Sequence, residues 1–320
     1  MKKNILITGA AGFLGSFLCE ELLAAGYKVV GVDNFFRGTP ANISALTQTE
    51  FILEDLDLSI ATNSVPLQKI MRQHHIEIVV HLAAINGTQY FYDEPLFVFE
   101  QNIKITQTLL AAMDTTAVNY VIYSSSSEVY GNPLNIPTDE KQPILLNLEA
   151  DRDSYAASKA ADDFYVRLFA KHHHMSFLIL RIFNLYGERM VGTKYGQVVA
   201  EFVTRMLHED QFTLIGDGSQ TRSFCYVKDA TWAIKQLIEH HITGLVNVGN
   251  DEEISILKLA QCLHSLEKIP FHPVFLAPRA HDHQRRRPDI SHLRSLIPDL
   301  KFTSLETGLK KVIKYYRTQN

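Results

Sequence analysis

Residues 5–15 read Ile-Leu-Ile-Thr-Gly-Ala-Ala-Gly-Phe-Leu-Gly, an apolar run that passes into three glycines spaced three apart. Few folds can use such a segment. The run reads as a buried strand. Gly9, Gly12 and Gly15 then permit a tight turn, approach of the backbone to a diphosphate, and close packing of the next helix on the strand. That helix, expected over Phe13–Ala25, offers unpaired N–H groups and a positive dipole end to phosphate oxygens. A glycine triplet alone is weak, because turns use glycine for their own reasons. Here a second apolar run, Lys28–Val32, ends at Asp33, eighteen residues beyond Gly15. A carboxylate at that point accepts hydrogen bonds from a ribose 2′-hydroxyl and repels a 2′-phosphate, so NAD is expected over NADP. Arg37 nearby works against that preference. Asp55, after the strand-like Glu50–Leu53, is a candidate to cap the adenine, with a solvated loop residue as the alternative reading.

Buried strands are further expected at Ile76–Leu82, Tyr120–Ser124 and Phe177–Ile182, with helical patterns at Val65–Gln73, Leu96–Met113 and Ser154–His173. The alternation predicts an α/β chain built on a doubly wound parallel sheet. It becomes irregular after Tyr186, although Val246–Val248 can return one strand to the sheet. We therefore expect a cofactor domain over 1–182 plus about 223–250, and a smaller, interleaved domain over about 183–222 plus 251–320. With 46% hydrophobic and 21% charged residues in 320, the composition is that of a globular protein. A formal charge of -4 with no basic block gives no reason to expect nucleic acid as a partner. No apolar run approaches the ~20 residues that span a bilayer, and no secretory leader is expected at the start. Cys19, Cys225 and Cys262 are far apart and odd in number, which predicts a reducing cytoplasm rather than a disulfide framework.

A second constellation is Ser124-Ser125-Ser126-Ser127-Glu128-Val129-Tyr130-Gly131, followed by Tyr155-Ala156-Ala157-Ser158-Lys159. On a helix, Tyr155 and Lys159 share a face. A free phenol titrates near pH 10 and is a poor base at neutrality. An adjacent ammonium favours the phenolate and is expected to bring Tyr155 down toward working pH. A serine hydroxyl at a neighbouring strand end can bond the same substrate oxygen. Together these groups can take the proton from an alcohol while its carbon gives up hydride.

These segments resemble the extended short-chain dehydrogenase/reductase family, in particular its nucleotide-sugar epimerases, dehydratases and decarboxylases. The resemblance runs from GAAGFLG through DNFFRG, HLAA (His81–Ala84), YAASK, RIFNLYG (Arg181–Gly187) and GDGSQTRSFCYVKD (Gly216–Asp229) to RRRPDI (Arg285–Ile290). It implies a Rossmann sheet with an α+β substrate domain, and Ser126, Tyr155 and Lys159 as the catalytic set. It implies cofactor contacts from Gly9, Gly12, Phe13, Leu14 and Gly15, from Asp33 and Asn34, from Asp55 and Leu56, and from Leu82, Ala83 and Ala84. Asn102 would be a buried support of the same site. Asn184, Arg222 and Arg286 would hold the substrate, with Ser127 and Gly87 beside the sugar. Guanidinium forks suit diphosphates. The plain alternative for Arg222 and Arg286 is a surface ion pair.

The family's reactions pass through a 4-keto sugar. Glu128 beside the serine can abstract or return the C5 proton that such a ketone acidifies. Rotating a ketone needs no such group, so a 4,6-dehydratase or uronate decarboxylase is preferred slightly over a 4-epimerase or a simple 4-dehydrogenase. Ser127 stands where deoxythymidine-diphosphate-glucose dehydratases carry Asp. The segments SYAASK and Gly87–Tyr92 depart from the decarboxylases. A reading from another class is a non-catalytic NAD(H)-binding regulator, against which the intact Ser126, Tyr155 and Lys159 argue. A metal hydrolase is disfavoured, because His172-His173-His174 are adjacent and diverge around a helix end. The resemblance also implies a homodimer through a four-helix interface, with Phe97, Leu109, Phe164 and Leu168 as candidate contacts.

Overall fold

Alternation along the first strand divides the protein into two apolar layers. The computed structural model describes residues 3–46, 49–113, 117–193, 195–208 and 211–319. In β1 (Asn4–Thr8), Ile5 and Ile7 face one side of the sheet with Leu18 and Leu22 of α1 (Phe13–Ala24), while Leu6 turns to the other. This is the period of two that a strand buried on both faces requires. The chain continues through β2 (Lys28–Asp33), β3 (Phe51–Asp55), α2 (Ser64–Gln73), β4 (Ile78–His81), α3 (Tyr90–Asp93) and α4 (Pro95–Ala112). Next come β5 (Tyr120–Ser126), α5 (Ser154–His172), β6 (Ser176–Ile182), β7 (Leu185–Tyr186), α6 (Val198–His208), β8 (Thr213–Ile215), β9 (Thr221–Ser223) and β10 (Cys225–Tyr226). The last elements are α7 (Val227–Glu239), β11 (Gly244–Val248), β12 (Glu253–Ser255), α8 (Ile256–Glu267), β13 (Val274–Leu276), β14 (Arg285–Arg286), α9 (Ser291–Leu296) and α10 (Leu305–Thr318).

Seven strands form the expected parallel sheet in the order β11-β6-β5-β4-β1-β2-β3. The chain runs outward from β1 to β3 and then returns to the opposite side of β1 with β4. Between β1 and β4 the winding reverses, and the ends of these strands open a crevice there. Helices α2, α4 and α5 cover one face, and α1 and α7 the other. Ile290, Leu293 and Ile297, in and around α9, join the second layer. A separate core of α6, α8 and α10, built on Val199, Phe202, Leu259, Leu263 and Val312, supports the short sheets β12-β9-β14 and β13-β8.

Several histidines serve helix ends. α2, α5 and α7 each end in a pair, His74-His75, His173-His174 and His240-His241, and the second of each pair takes a positive φ of 48–54°. A left-handed residue stops a helix, and a ring near the last carbonyls complements the dipole. Among the described residues no helix is long and apolar enough to cross a membrane. Of the four residues expected at a helix-pairing face, Leu109 is fully buried in its own core, because α4 packs it on the sheet. Phe97 is partly buried beside Phe91 and Tyr155. Phe164 and Leu168 of α5 remain 54% and 51% exposed.

Candidate active site

The glycine loop occupies the crevice where the winding reverses. Gly9 has φ +72°, and a Cβ there would lie 2.9 Å from the Ala83 nitrogen in the loop after β4. A Cβ on Gly15 would lie 2.0 Å from the Gly9 carbonyl oxygen, so only glycine lets α1 press against the loop. Gly12 starts α1 with no side chain capping it, which leaves the helix end open to an acceptor. Asp33, 7% exposed, accepts from Ala11 N–H (2.9 Å) and Phe35 N–H (2.8 Å). Burial pushes its carboxyl upward, and those backbone donors pull against that shift. Each carboxylate oxygen keeps acceptor capacity for a ribose. Arg37 is directed elsewhere, onto the Tyr195 carbonyl (3.1 Å) and the face of Tyr90. Phe13, Leu14, Asn34, Leu56, Leu82, Ala83 and Ala84 line the cleft.

Two residues depart from expectation here. Asp55 ends β3 exposed, and the chain turns so that Leu56, Asp57 and Leu58 border the cleft instead. Gly87, with φ +143°, is needed for packing: a Cβ would lie 2.2 Å from the Tyr195 carbonyl oxygen, and its neighbours Asn86 and Thr88 face the cleft. Asn102 is the expected buried support. It accepts from Ile85 N–H (2.7 Å) and donates to the Ile85 carbonyl (3.2 Å) and Ser158 Oγ (3.1 Å), tying the loop after β4 to α5.

Strand β5 and helix α5 bring Ser126, Tyr155 and Lys159 to the cleft together. Ser126 Oγ accepts from Glu128 N–H (3.2 Å) and favours the ionised form of the Tyr155 phenol. Phe91 of α3, unforeseen from sequence, stacks on Tyr155 with ring centres 4.5 Å apart. Lys159 Nζ donates to the Ser124 carbonyl at 2.8 Å and lies 6.0 Å from the centre of the Tyr155 ring. Burial lowers its pKa to about 8, against the pull of Asp162 and Asp163. The expected drop in the Tyr155 pKa is not present: desolvation pushes the phenol above its ordinary value, and Glu128 adds to that while Ser126 and Arg37 oppose it. At that distance the ammonium does not outweigh burial.

Glu128, just past β5, is held on several sides. The Arg286 fork takes both its oxygens, Arg152 Nη2 donates to Oε2 at 3.2 Å, and His283 Nε2 lies 3.5 Å from Oε2. Burial alone would push Glu128 up. Arg286, His283 and Arg152 outweigh it and hold the carboxyl well below its ordinary range. Arg286, expected on a diphosphate, is thus committed to Glu128, because its fork matches a carboxylate bidentately. His283 accepts from Arg152 Nη1 at 2.5 Å and donates from Nδ1 to Asn132 at 3.0 Å, an arrangement that fits the neutral ring favoured by burial. Arg152, Arg222 and Arg279 line the cleft near this cluster, with Ser127 and Asn184. Arg222 also reaches Asp282 (3.3 Å). Arg152 carried one available signal, its place three residues before Tyr155.

A doubly wound sheet with a diphosphate cradle at its reversal point, and a serine, tyrosine and lysine beside it, defines a nicotinamide-nucleotide enzyme. The glycine spaces and Asp33 fit NAD. The model of the NAD dependent epimerase/dehydratase family matches residues 5–249, and the chain belongs to that family. A UDP-N-acetyl-alpha-D-glucosaminuronate decarboxylase of Bacillus cytotoxicus is 32% identical over 99% of this chain and 98% of its own. UDP-glucuronic acid decarboxylase 1 of Danio rerio is 33% identical over 98% of this chain and 73% of its own. Among solved structures, UDP-glucuronic acid 4-epimerase from Bacillus cereus is 30% identical, with a TM-score of 0.87 over 99% of this chain and 100% of that one.

Proposed function

We propose that the protein oxidises C4 of a UDP-linked uronate and lets the 4-keto acid lose carbon dioxide. The observation that carries this reading is that Arg152, Arg222 and Arg279 line the cleft that holds Tyr155, Arg152 beside Glu128, Arg222 beside Asp282 and Arg279 beside Gln89. A carboxylate on the sugar gains from such a wall, whereas a neutral hydroxymethyl group gains little. Tyr155 takes the C4 hydroxyl proton, Ser126 orients that hydroxyl, and Lys159 supplies positive charge beneath it. NAD, which Gly9, Gly12, Gly15 and Asp33 would hold, would supply the acceptor and donor of the C4 hydride. The C5–C6 bond then breaks with its electron pair drawn toward the ketone, and C5 takes a proton. The C4 ketone stands β to the C6 carboxylate, and loss of carbon dioxide from such a β-keto acid needs no enzyme base. A 4,6-dehydratase would instead need Glu128 to remove the C5 proton, and a carboxylate clamped by guanidinium groups is a weak base. Uronate 4-epimerisation is the second reading, supported by the solved epimerase that matches the whole chain.

Turnover of UDP-glucuronate in heavy water, followed by mass spectrometry and NMR, tests the choice. The expected product is a nucleotide-linked pentose carrying deuterium at C5. An intact uronate inverted at C4 without deuterium would favour epimerisation. Turnover of UDP-glucose but not UDP-glucuronate would sink the uronate reading altogether.

The proposal includes a homodimer paired through α4 and α5, whose outward Leu96, Phe164 and Leu168 are each at least half exposed. Light scattering at micromolar concentration should give twice the chain mass. A monomeric mass would refute the pairing.

A further inference from the structure

A line of buried polar groups runs from the loop after β4 to Asp162 of α5, three residues beyond Lys159. Leu82 and Ala83 N–H both donate to Thr8 Oγ1 at 3.2 Å. Thr8 Oγ1 lies 2.7 Å from His81 Nδ1, and His81 Nε2 lies 3.1 Å from Thr106 Oγ1. Thr106 Oγ1 donates to Asp162 Oδ2 at 2.7 Å, and Tyr123 OH donates to the same oxygen at 3.0 Å. Thr8, His81, Thr106, Tyr123 and Asp162 are each at most 1% exposed.

These contacts determine the proton positions. Thr106 has one hydroxyl proton and gives it to Asp162, so it accepts from His81 Nε2–H. His81 Nδ1 is then bare and accepts from the Thr8 hydroxyl. Burial keeps that ring neutral, with its pKa lowered to about 3. Every donor in the chain points toward Asp162. Asp163 is paired with Arg181 (3.4 Å), and one oxygen of each aspartate, Asp162 Oδ1 and Asp163 Oδ1, is buried with no hydrogen-bond partner among the described residues. Of the two aspartates of α5 that favour the Lys159 ammonium, Asp162 is thus the one with no arginine partner among the described residues.

We propose that Asp162 is a positioning residue that keeps Lys159 charged and, through Thr106, His81 and Thr8, holds the Leu82–Ala83 loop in a single hydrogen-bonded arrangement. The inference rests on the reading of Lys159 as the cation beside Tyr155. The charged and titratable groups facing Asp162 are Lys159 and Asp163 of α5, Tyr123 of β5 and, through Thr106 of α4, His81 of β4. Arg181 of β6 acts through Asp163. Burial raises the Asp162 pKa to about 6, while Lys159, Thr106 and Tyr123 lower it and Asp163 raises it. Below that pH the carboxyl is neutral, Lys159 loses its counter-charge, and the chain loses its strongest acceptor. Above about pH 8 Lys159 itself loses its proton.

Calorimetric titration with NAD alone, from acid to alkaline pH, tests this without a sugar. For the wild type, affinity should fall several-fold as pH drops through about 6. Asp162→Asn should abolish that acid fall and move the alkaline fall down by about 1 pH unit, since an anion that favours the ammonium is gone. Tyr123→Phe keeps the charge and removes one donor to the carboxylate, so the acid fall should move to higher pH. Should Asp162→Asn fold poorly by circular dichroism, Tyr123→Phe decides alone. Wild-type pH dependence in the variants that fold overturns the proposal. Full NADH formation by Tyr155→Phe would be a different failure, that of the tyrosine–lysine reading itself.

Discussion

Replacing Tyr155 with Phe is expected to abolish NADH formation while the protein keeps its fold and its nucleotide-sugar affinity. The ring sits 5% exposed and stacked on Phe91 at 4.5 Å, and Phe preserves both the burial and the stack. Only the hydroxyl is lost. In the proposed reaction that hydroxyl takes the C4 hydroxyl proton, which must leave before or together with the hydride. Loss of such a proton-transfer group costs about 10²–10⁴-fold in rate. Burial has pushed the phenol upward, so the native enzyme depends on positive charge to reach the phenolate, and Lys159 is the lysine placed for it. NADH absorbance in a single turnover measures the rate, and calorimetry with UDP-glucuronate measures the affinity. Near-normal NADH formation would show that another base takes the C4 proton.

Most of the sheet was legible because its signals are local. Continuous apolar runs such as Ile5–Ile7 and Lys28–Val32 can be read without knowing what they pack against, and so can glycines placed where a Cβ would strike backbone. The electrostatics of the site were not legible, because they depend on partners remote in sequence. Arg286 meets Glu128 across 158 positions, and His283 meets Arg152 across 131. Read singly, Arg286 looked free for a phosphate and Glu128 free for a proton. The sign of the Tyr155 shift was missed for a similar reason. The sequence places Lys159 one turn away but does not disclose how deeply both groups are buried, and burial dominates both shifts. Asp55 and Leu109 were misplaced by smaller margins, where a loop's turn or a helix's rotation decides which neighbour faces the cleft or the core.

The Glu128 cluster yields the second large effect, and it separates charge arrangement from proton transfer at C4. In Glu128→Gln the Arg286 fork, Arg152 and His283 face a neutral amide instead of a carboxylate, with the Arg152 and Arg286 side chains only 3% and 4% exposed. Removing one member of a buried ion pair leaves charge unbalanced and costs about 3–5 kcal/mol. Discounted for the 18% exposure of the Glu128 side chain, a loss of about 3 kcal/mol is expected in denaturant unfolding. The pH sign follows from the depressed pKa. The contribution is complete above the ordinary carboxylate range and disappears only as pH falls through the lowered value. Stability of the variant should therefore match that of the native protein in strong acid and fall short of it at neutrality. Tyr155, Ser126 and Lys159 keep their side chains, and loss of the Glu128 charge removes one of the influences that raise the phenol, so oxidation at C4 should still produce NADH on UDP-glucuronate. The steps after it should suffer, because Arg152 is no longer held in place against the sugar's carboxylate. NADH should then accumulate instead of being consumed, and deuterium at C5 should appear slowly. If Glu128→Gln loses NADH formation as completely as Tyr155→Phe, the carboxylate belongs to the oxidation step and its assignment to the arginine wall is wrong.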